Sequence, residues 1–236
     1  MIHHLLPKQK NNQLILFFCR KNCNYSQQGI ERMLSLGFEL KVIYNQGKED
    51  QLPSEAFAVA CDYIICFRSW FILPQELLDL PKHYSINLHP GPPAYPGSGC
   101  VNFALYNEED HFGVTTHLMN QKVDSGAIIT YSTFPVAKHH RLEEVLTTTH
   151  QHLYDQFKEL VEHLASIGAQ YIADRLQKNK NIKWSETKRT LKELNAYREI
   201  TPDITEEELS KRIRSFHHTD YPLYLTIRNK TFVLKQ

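Results

Sequence analysis

The sequence predicts an α/β protein with a Rossmann-like, mostly parallel sheet flanked by helices, followed by a short C-terminal helix and β-hairpin. Three observations carry this. Strand-length apolar runs alternate with segments of helical spacing through the first 90 residues, the order that gives parallel strands with right-handed crossovers. The fourth such run, "YSINLH" (84–89), ends in polar residues and enters a loop rich in proline and glycine. The last 35 or so residues carry one more helical pattern and a hairpin signal.

Taken in order, "LILFFC" (14–19) has the uninterrupted apolar character of a strand buried on both faces. "SQQGIERMLSLG" (26–37) places Ile30, Met33, Leu34 and Leu36 at helical spacing, with Gly37 as a stop. "FELKVIYN" (38–45) alternates as a strand, "SEAFAVA" (54–60) is helical in pattern, and "DYIICF" (62–67) is a second buried strand. "ILPQELLDL" (72–80) is a short helix before the strand 84–89. "SGCVNFALYNEE" (98–109) is a helix behind the proline loop, and "GVTTHLMN" (113–120) and "AIITYSTFPV" (127–136) are strands joined by "QKVDSG". Residues 142–165 form a long amphipathic helix with Leu142, Val145, Leu146, Leu153, Phe157, Leu160, Val161 and Leu164 on one stripe. "AQYIADRLQKN" continues the helical pattern after Gly168, and "NKNIKWSETKRT" reads as a polar linker. "TEEELSKRIRSF" (205–216) opens on a capping box from Thr205 to Glu208. "YLTIRNKTFVL" (224–234) is a hairpin turning near Asn229-Lys230. The expected division is a catalytic domain over 1–180 and a linker with a small extension over 181–236.

The totals describe an ordinary water-soluble globular chain: 42% apolar, 22% charged, formal net charge +1. That balance offers no broad nucleic-acid face. No apolar run has membrane-spanning length, and the first residues lack the apolar centre of a signal peptide. The five cysteines (19, 23, 61, 66 and 100) are odd in number and scattered, with three inside strand-like runs. They read as free thiols, which suits a cytoplasmic location. The histidine pairs lack Cys or acidic companions at ligand spacing, so no metal is expected. The first strand-to-helix turn, "CRKNCNYSQQG", carries neither GxGxxG nor GxxxxGK[ST], so a dinucleotide or P-loop phosphate cradle is not expected there.

Residues i and i+2 of a strand share a face, so Asn87 and His89 point the same way. They stand at the carboxyl end of a parallel strand, where open α/β sheets place ligands. Four prolines and three glycines follow within ten residues, giving a stiff loop that allows close approach. An asparagine amide can donate to an oxyanion and a histidine can move a proton, a pair suited to chemistry at a carbonyl. Asp124 in "KVDSG", 35 residues beyond His89, is the acid that would orient the imidazole and favour its charged form. The same residues also fit a purely structural role, with Asn87 and His89 tying down a loop and Asp124 serving as a turn residue. No serine or cysteine occupies a nucleophile elbow, which favours direct transfer to an external nucleophile over an acyl-enzyme.

The motifs "INLHPG", "YPG", "GVTTHLM" and "VDSGAII", in this order over roughly residues 62–136, resemble the folate-dependent formyltransferase family, which includes the sugar N-formyltransferases. The resemblance implies formyl transfer from N10-formyltetrahydrofolate to an amine without a metal. It assigns Asn87, His89 and Asp124 to the catalytic trio. It implies pterin binding by the segment after the strand 62–67, with Ser69, Trp70 and Phe71, and by the segment before the acid, with Gln121, Lys122 and Val123. It places Pro90 and Gly91 on the amine-substrate side, and His117 matches a histidine common at that place in the family. One departure stands out: "HPGPPAYPG" is one residue shorter than the family's frequent HPSLLPxxRG, with Pro96 replacing the arginine.

The chain is too short to include the barrel domain of methionyl-tRNA formyltransferases, and its tail resembles the C-terminal extension of sugar N-formyltransferases. There Tyr221 is a candidate to stack on a ring of the substrate, with surface packing as the alternative. The expectation is therefore a nucleotide-linked amino sugar as acceptor, for surface polysaccharide synthesis, with small-molecule partners, no nucleic acid or membrane, and a hairpin-bearing tail compatible with a homodimer. The alternatives are glycinamide ribonucleotide or another small amine as acceptor, hydrolysis of formyltetrahydrofolate, or a folate- or nucleotide-binding module without turnover.

Overall fold

The computed structural model of the chain describes residues 1–235. The element order is β1 (His3–Leu5), β2 (Leu14–Arg20), α1 (Asn24–Ser35), β3 (Glu39–Asn45), a 3-10 turn (Ser54–Ala58), β4 (Tyr63–Phe67), α2 (Gln75–Leu78), β5 (Tyr84–His89), α3 (Cys100–Tyr106), β6 (His111–Leu118), β7 (Ile128–Pro135), α4 (Leu142–Ser166), α5 (Ala169–Asn179), α6 (Leu191–Arg198), β8 (Glu199–Ile200), α7 (Glu206–Phe216), β9 (Tyr224–Ile227) and β10 (Lys230–Val233). Seven strands form one sheet in the order β1-β3-β2-β4-β5-β6-β7. β3, β2, β4 and β5 are mutually parallel, β1 is antiparallel to β3, and β6 is antiparallel to β5. The α/β class and mostly parallel sheet agree with the sequence.

The chain divides into two compact units, one made of 1–89, 115–131 and 152–183, the other of 90–114, 132–151 and 184–236. In the first, β2 and β4 are apolar throughout because both faces are covered. On one side Phe17 and Phe67 meet the ring of Phe157 from α4, at centroid distances of 5.8 and 4.7 Å. On the other, Leu16, Phe18, Ile64 and Cys66 pack with Ala56, Leu73 and Leu77. Gly29 of α1 lies so close to Phe157 that an added Cβ would sit 3.0 Å from the ring. α1 stops as expected: Gly37 takes φ +92°, and the Phe38 N–H bonds back to the Met33 carbonyl.

The second unit holds its own aromatic core. Phe103, Phe216 and Leu223 are buried, with Tyr106, Tyr197, Leu194 and Ile213 packed around them. The Tyr197 and Phe216 rings stack at 5.0 Å. Arg212 and Arg214 of α7 act as staples here: Arg212 pairs with Glu208 at 2.6 Å, and Arg214 donates to the carbonyls of His140 and Leu105 at 3.1 Å each.

Several local expectations are corrected. Residues 54–58 are a 3-10 turn rather than an α-helix over 54–60, because the segment is only five residues long between Pro53 and an extended Val59. Thr205 accepts from the Glu208 N–H, but the Glu208 carboxylate is drawn to Arg212 and the Tyr106 hydroxyl. The complete capping box lies at Thr190 and Glu193, where it starts α6 within the expected linker region. The hairpin turns one residue earlier than expected, on Arg228 and Asn229, both in the left-handed region. β1, a three-residue edge strand of His-His-Leu, carries no periodic signal.

All five cysteines are free, and four are buried. Burial pushes the Cys19 thiol up to about 12 and Cys61 to about 11, and Cys66 is pushed up as well. Cys23, half-buried at the N-cap of α1, differs. Burial raises it too, but the Ser26 hydroxyl and backbone N–H and the Arg68 guanidinium, 3.1 Å from Sγ, together hold it below its ordinary value.

Truncating Phe157 to alanine removes the ring that β2, β4 and α1 share. The loss expected is about 3–5 kcal/mol, read as a lower urea midpoint; a shift below about 1 kcal/mol contradicts its place at the centre of this packing. For the thiols, iodoacetamide near neutral pH should label Cys23 first, with an alkylation midpoint below that of a free cysteine thiol. The fast phase should vanish in Cys23→Ser, and a fast phase retained in that variant assigns the reactivity elsewhere.

Candidate active site

The register of β5 on β6 builds the site. Asn87 lies opposite His117 and His89 opposite Thr115. Alternation along β5 puts Asn87 and His89 on one face, and Leu88, 2% exposed, on the other. Beyond β6 the chain folds back through a tight turn. Asn120 Oδ1 accepts from the Lys122 N–H at 3.1 Å and the Ser125 hydroxyl at 2.8 Å, and Ser125 also donates to the Lys122 carbonyl at 2.7 Å. These bonds close the loop on itself. Gly126 then passes so near the Leu118 carbonyl that a Cβ would stand 1.8 Å from the oxygen. Only glycine allows this approach, and it returns Asp124 to the end of β5 and β6.

Asp124 takes φ +48°, a left-handed conformation that aspartate tolerates better than most residues. Its Oδ1 lies 3.4 Å from His89 Nδ1 and 3.6 Å from His117 Nε2. All three side chains are at most 5% exposed. His117 Nδ1 is 2.7 Å from the Leu118 carbonyl, and its Nε2 is 3.0 Å from the Asn87 amide nitrogen. Asn87 itself is half-buried. The structure therefore gathers Asn87, His89 and Asp124, and adds His117 between Asn87 and Asp124. Chemically, this group offers an amide N–H, an imidazole and a carboxylate on one face at the carboxyl end of β5, the equipment for stabilising a carbonyl oxyanion and moving a proton.

The segment after β4 begins with Arg68 at φ +53°. Ser69 donates to the buried Asn45 at 3.3 Å and accepts from the Phe71 N–H at 3.2 Å. Trp70 is half-buried, with the Arg20 guanidinium 4.0 Å from its ring centroid. Phe71 packs edge-on against Phe18 at 5.9 Å, so its ring also serves the core. Gln121, Lys122 and Val123 are exposed on the Asp124 turn. Pro90, exposed, Gly91, buried, and Tyr221, 59% exposed beside the Arg198 guanidinium, belong to the second unit. Arg20 was not singled out from the sequence, because its partner Trp70 lies on a different strand end. The "GVTTHLM" motif did flag His117, but no sequence spacing could show that it reaches two of the three site residues.

The chain is similar to known proteins in sequence and in fold. The model of the formyl transferase family matches residues 8–161. A methionyl-tRNA formyltransferase of Thermosynechococcus vestitus is 30% identical over 131 residues, 55% of this chain and 35% of that protein. The match spans only 25–38% of the length of such curated relatives. Among solved structures, a sugar N-formyltransferase from Shewanella sp FDAARGOS_354 shares the fold with a TM-score of 0.71 at 18% identity, covering 95% of this chain and 97% of that one. An N-formyltransferase from Helicobacter canadensis, solved in complex with folinic acid and dTDP-3-aminofucose, reaches 0.64 at 17% identity over 92% and 84% of the two chains. No helix among the described residues is long and apolar enough to cross a membrane, and no group of three or more His, Cys, Asp or Glu side chains there is placed to hold a metal ion. The matched span includes β5, β6 and the turn that carries Asp124, so the chain belongs to the formyl transferase family.

Proposed function

We propose that the protein transfers a formyl group from N10-formyltetrahydrofolate to the amine of a nucleotide-linked amino sugar. The observation that carries the chemistry is the placement of the Asp124 carboxylate 3.4 Å from His89 on the face that Asn87 shares. Asn87 donates to the formyl oxygen as it becomes an oxyanion. His89 faces the same carbon and supplies a proton toward the departing folate nitrogen. Asp124 holds the imidazole and passes on the proton that the attacking amine gives up. The N10–formyl bond breaks as the new amide C–N bond forms, and the amine proton is balanced by the one that N10 gains. Ser69, Trp70 and Phe71 after β4, with Gln121, Lys122 and Val123 on the Asp124 turn, form the proposed pterin-binding segments.

The sugar acceptor rests on weaker support than the chemistry. The fold match to the Shewanella sugar N-formyltransferase runs through the C-terminal extension as well as the sheet. The Helicobacter relative was solved with a nucleotide-linked amino sugar and a folate. Pro90, Gly91 and Tyr221 are the proposed acceptor-side residues. A second reading has one specific observation behind it: the curated relatives by sequence are methionyl-tRNA formyltransferases. In that reading the amine belongs to an aminoacyl-tRNA.

The test is an assay of tetrahydrofolate release from N10-formyltetrahydrofolate with a panel of nucleotide-linked amino sugars, glycinamide ribonucleotide and methionyl-tRNA. Turnover that depends on one sugar is the expected result. Turnover only with methionyl-tRNA favours the second reading, and turnover without any amine indicates hydrolysis. With the preferred acceptor, His89→Ala is expected to lower kcat by about 10²–10⁴-fold with an unchanged circular dichroism spectrum. Asp124→Asn should lower kcat with a smaller effect on folate affinity. Near-normal turnover of a folded His89→Ala protein removes His89 from the mechanism.

A further inference from the structure

An asparagine amide has two ends of nearly the same size and opposite hydrogen-bonding character. Packing alone cannot tell them apart. An oxyanion donor at Asn87 requires that the nitrogen end face the reacting carbonyl, and the oxygen end in its place would repel the developing charge. Some partner of fixed polarity must make that choice.

His117 has the contacts to do so. Its ring is 1% exposed and held at both nitrogens. The Leu118 carbonyl, 2.7 Å from Nδ1, can only accept, so Nδ1 carries a proton. In the neutral ring Nε2 then has only a lone pair. The Asn87 amide, 3.0 Å away, must turn its NH2 toward it. One N–H of that amide is spent on His117, and the same nitrogen keeps a second N–H. We propose that His117 is a positioning residue: the Leu118 carbonyl locks its Nδ1–H tautomer, and that tautomer fixes which end of the Asn87 amide serves the reaction. The amide lock stands on the geometry alone, while its catalytic meaning rests on the formyl-transfer reading above.

Asp124 and His89 are titratable groups that face His117 among the described residues, with Asp124 Oδ1 3.6 Å from Nε2 and the His89 ring centroid 6.5 Å away. A second proton on Nε2 would point at Asp124 and require the amide to reverse. The lock is therefore a property of the neutral ring.

Two measurements test this separately. In protein labelled with nitrogen-15 histidine, long-range proton–nitrogen correlation identifies the His117 resonances by their loss in His117→Gln. The expected pattern at mildly alkaline pH is a protonated Nδ1 and a bare Nε2. A proton on Nε2 instead, or exchange between the two tautomers, overturns the lock. The second measurement is kinetic, on variants whose fold is checked by the same spectra. His117→Leu should lower kcat by roughly ten- to a hundredfold, less than the 10²–10³ typical of losing an oxyanion donor outright, with little change in the folate KM. His117→Gln, which keeps an acceptor oxygen, should recover part of the loss. In an Asn87→Ala background His117→Leu should cost nothing further. Equal losses in both backgrounds would show that His117 acts by some route other than Asn87. Should the wild type transfer formyl to no amine, the function reading fails, while the tautomer measurement still decides the lock.

Discussion

The antiparallel pairing of β5 with β6 is the constraint on which the rest of the site depends. It sets Asn87 against His117 and His89 against Thr115. Side chains alternate with a period of two, so a slip of one residue would send the Asn87 and His89 side chains to the opposite face and bring Leu88 into their place. Two neighbours hold the register. β4 pairs in parallel with β5 from Tyr63 to Phe67, and the Met119 N–H bonds the Ser85 carbonyl at 2.8 Å just beyond β6. The parallel side of β5 comes from apolar strands buried on both faces. Its antiparallel side brings a returning strand, and with it a turn that reaches the same end of the sheet.

That turn carries the energetic burden of the site. A carboxylate only 5% exposed would be costly if it stood alone, by several kcal/mol even after relaxation. Asp124 is instead flanked by two imidazoles within 3.6 Å. Its left-handed backbone adds strain of about 1–2 kcal/mol, offset by the self-closing bonds of Asn120 and Ser125 and by the contact that Gly126 makes with Leu118. Burial, strain and close backbone approach thus meet at one short segment. Such a combination persists only where surrounding structure fixes it, and it marks functional positions more often than ordinary turns.

Much of this was legible in the chain. "LILFFC" and "YIICF" are long enough and apolar enough to be strands covered on both faces, and the α1 stop at Gly37 follows from backbone sterics. Asn87 and His89 stood out because a polar pair at the end of an apolar strand calls for a polar partner or a ligand. What escaped was set by partners distant in sequence. Glu208 was expected to complete a capping box with Thr205, yet its carboxylate is taken by Arg212 and Tyr106. The equivalent box at Thr190 and Glu193 sits in a polar stretch with no apolar periodicity to announce a helix. β1 pairs through its backbone with the edge of β3, a role that asks for no particular side-chain pattern. The polarity of the Asn87 amide depends on a ring 30 residues away and on which nitrogen of that ring is protonated.

The same distinction separates the chemistry from the choice of acceptor. Formyl transfer as proposed needs a few groups within hydrogen-bond reach of one carbon, and a strand pair with one turn gathers Asn87, His89 and Asp124. In the proposed reaction these groups act on the formyl carbon and the two nitrogens that exchange it, so they are indifferent to what the amine is attached to. Selecting the acceptor requires surface complementary to a much larger molecule. The two arginines of α7 are occupied: Arg212 by Glu208 and the carbonyls of Tyr197 and Glu199, Arg214 by those of His140 and Leu105. Tyr221 differs, since its ring is exposed and backed by Arg198. An exposed aromatic face can stack on a base or a sugar ring, a contact that asks for shape more than charge. The motif behind the proposed reaction is therefore short and local, while a contact of the kind Tyr221 offers lies at a position whose spacing in the chain says little about its use.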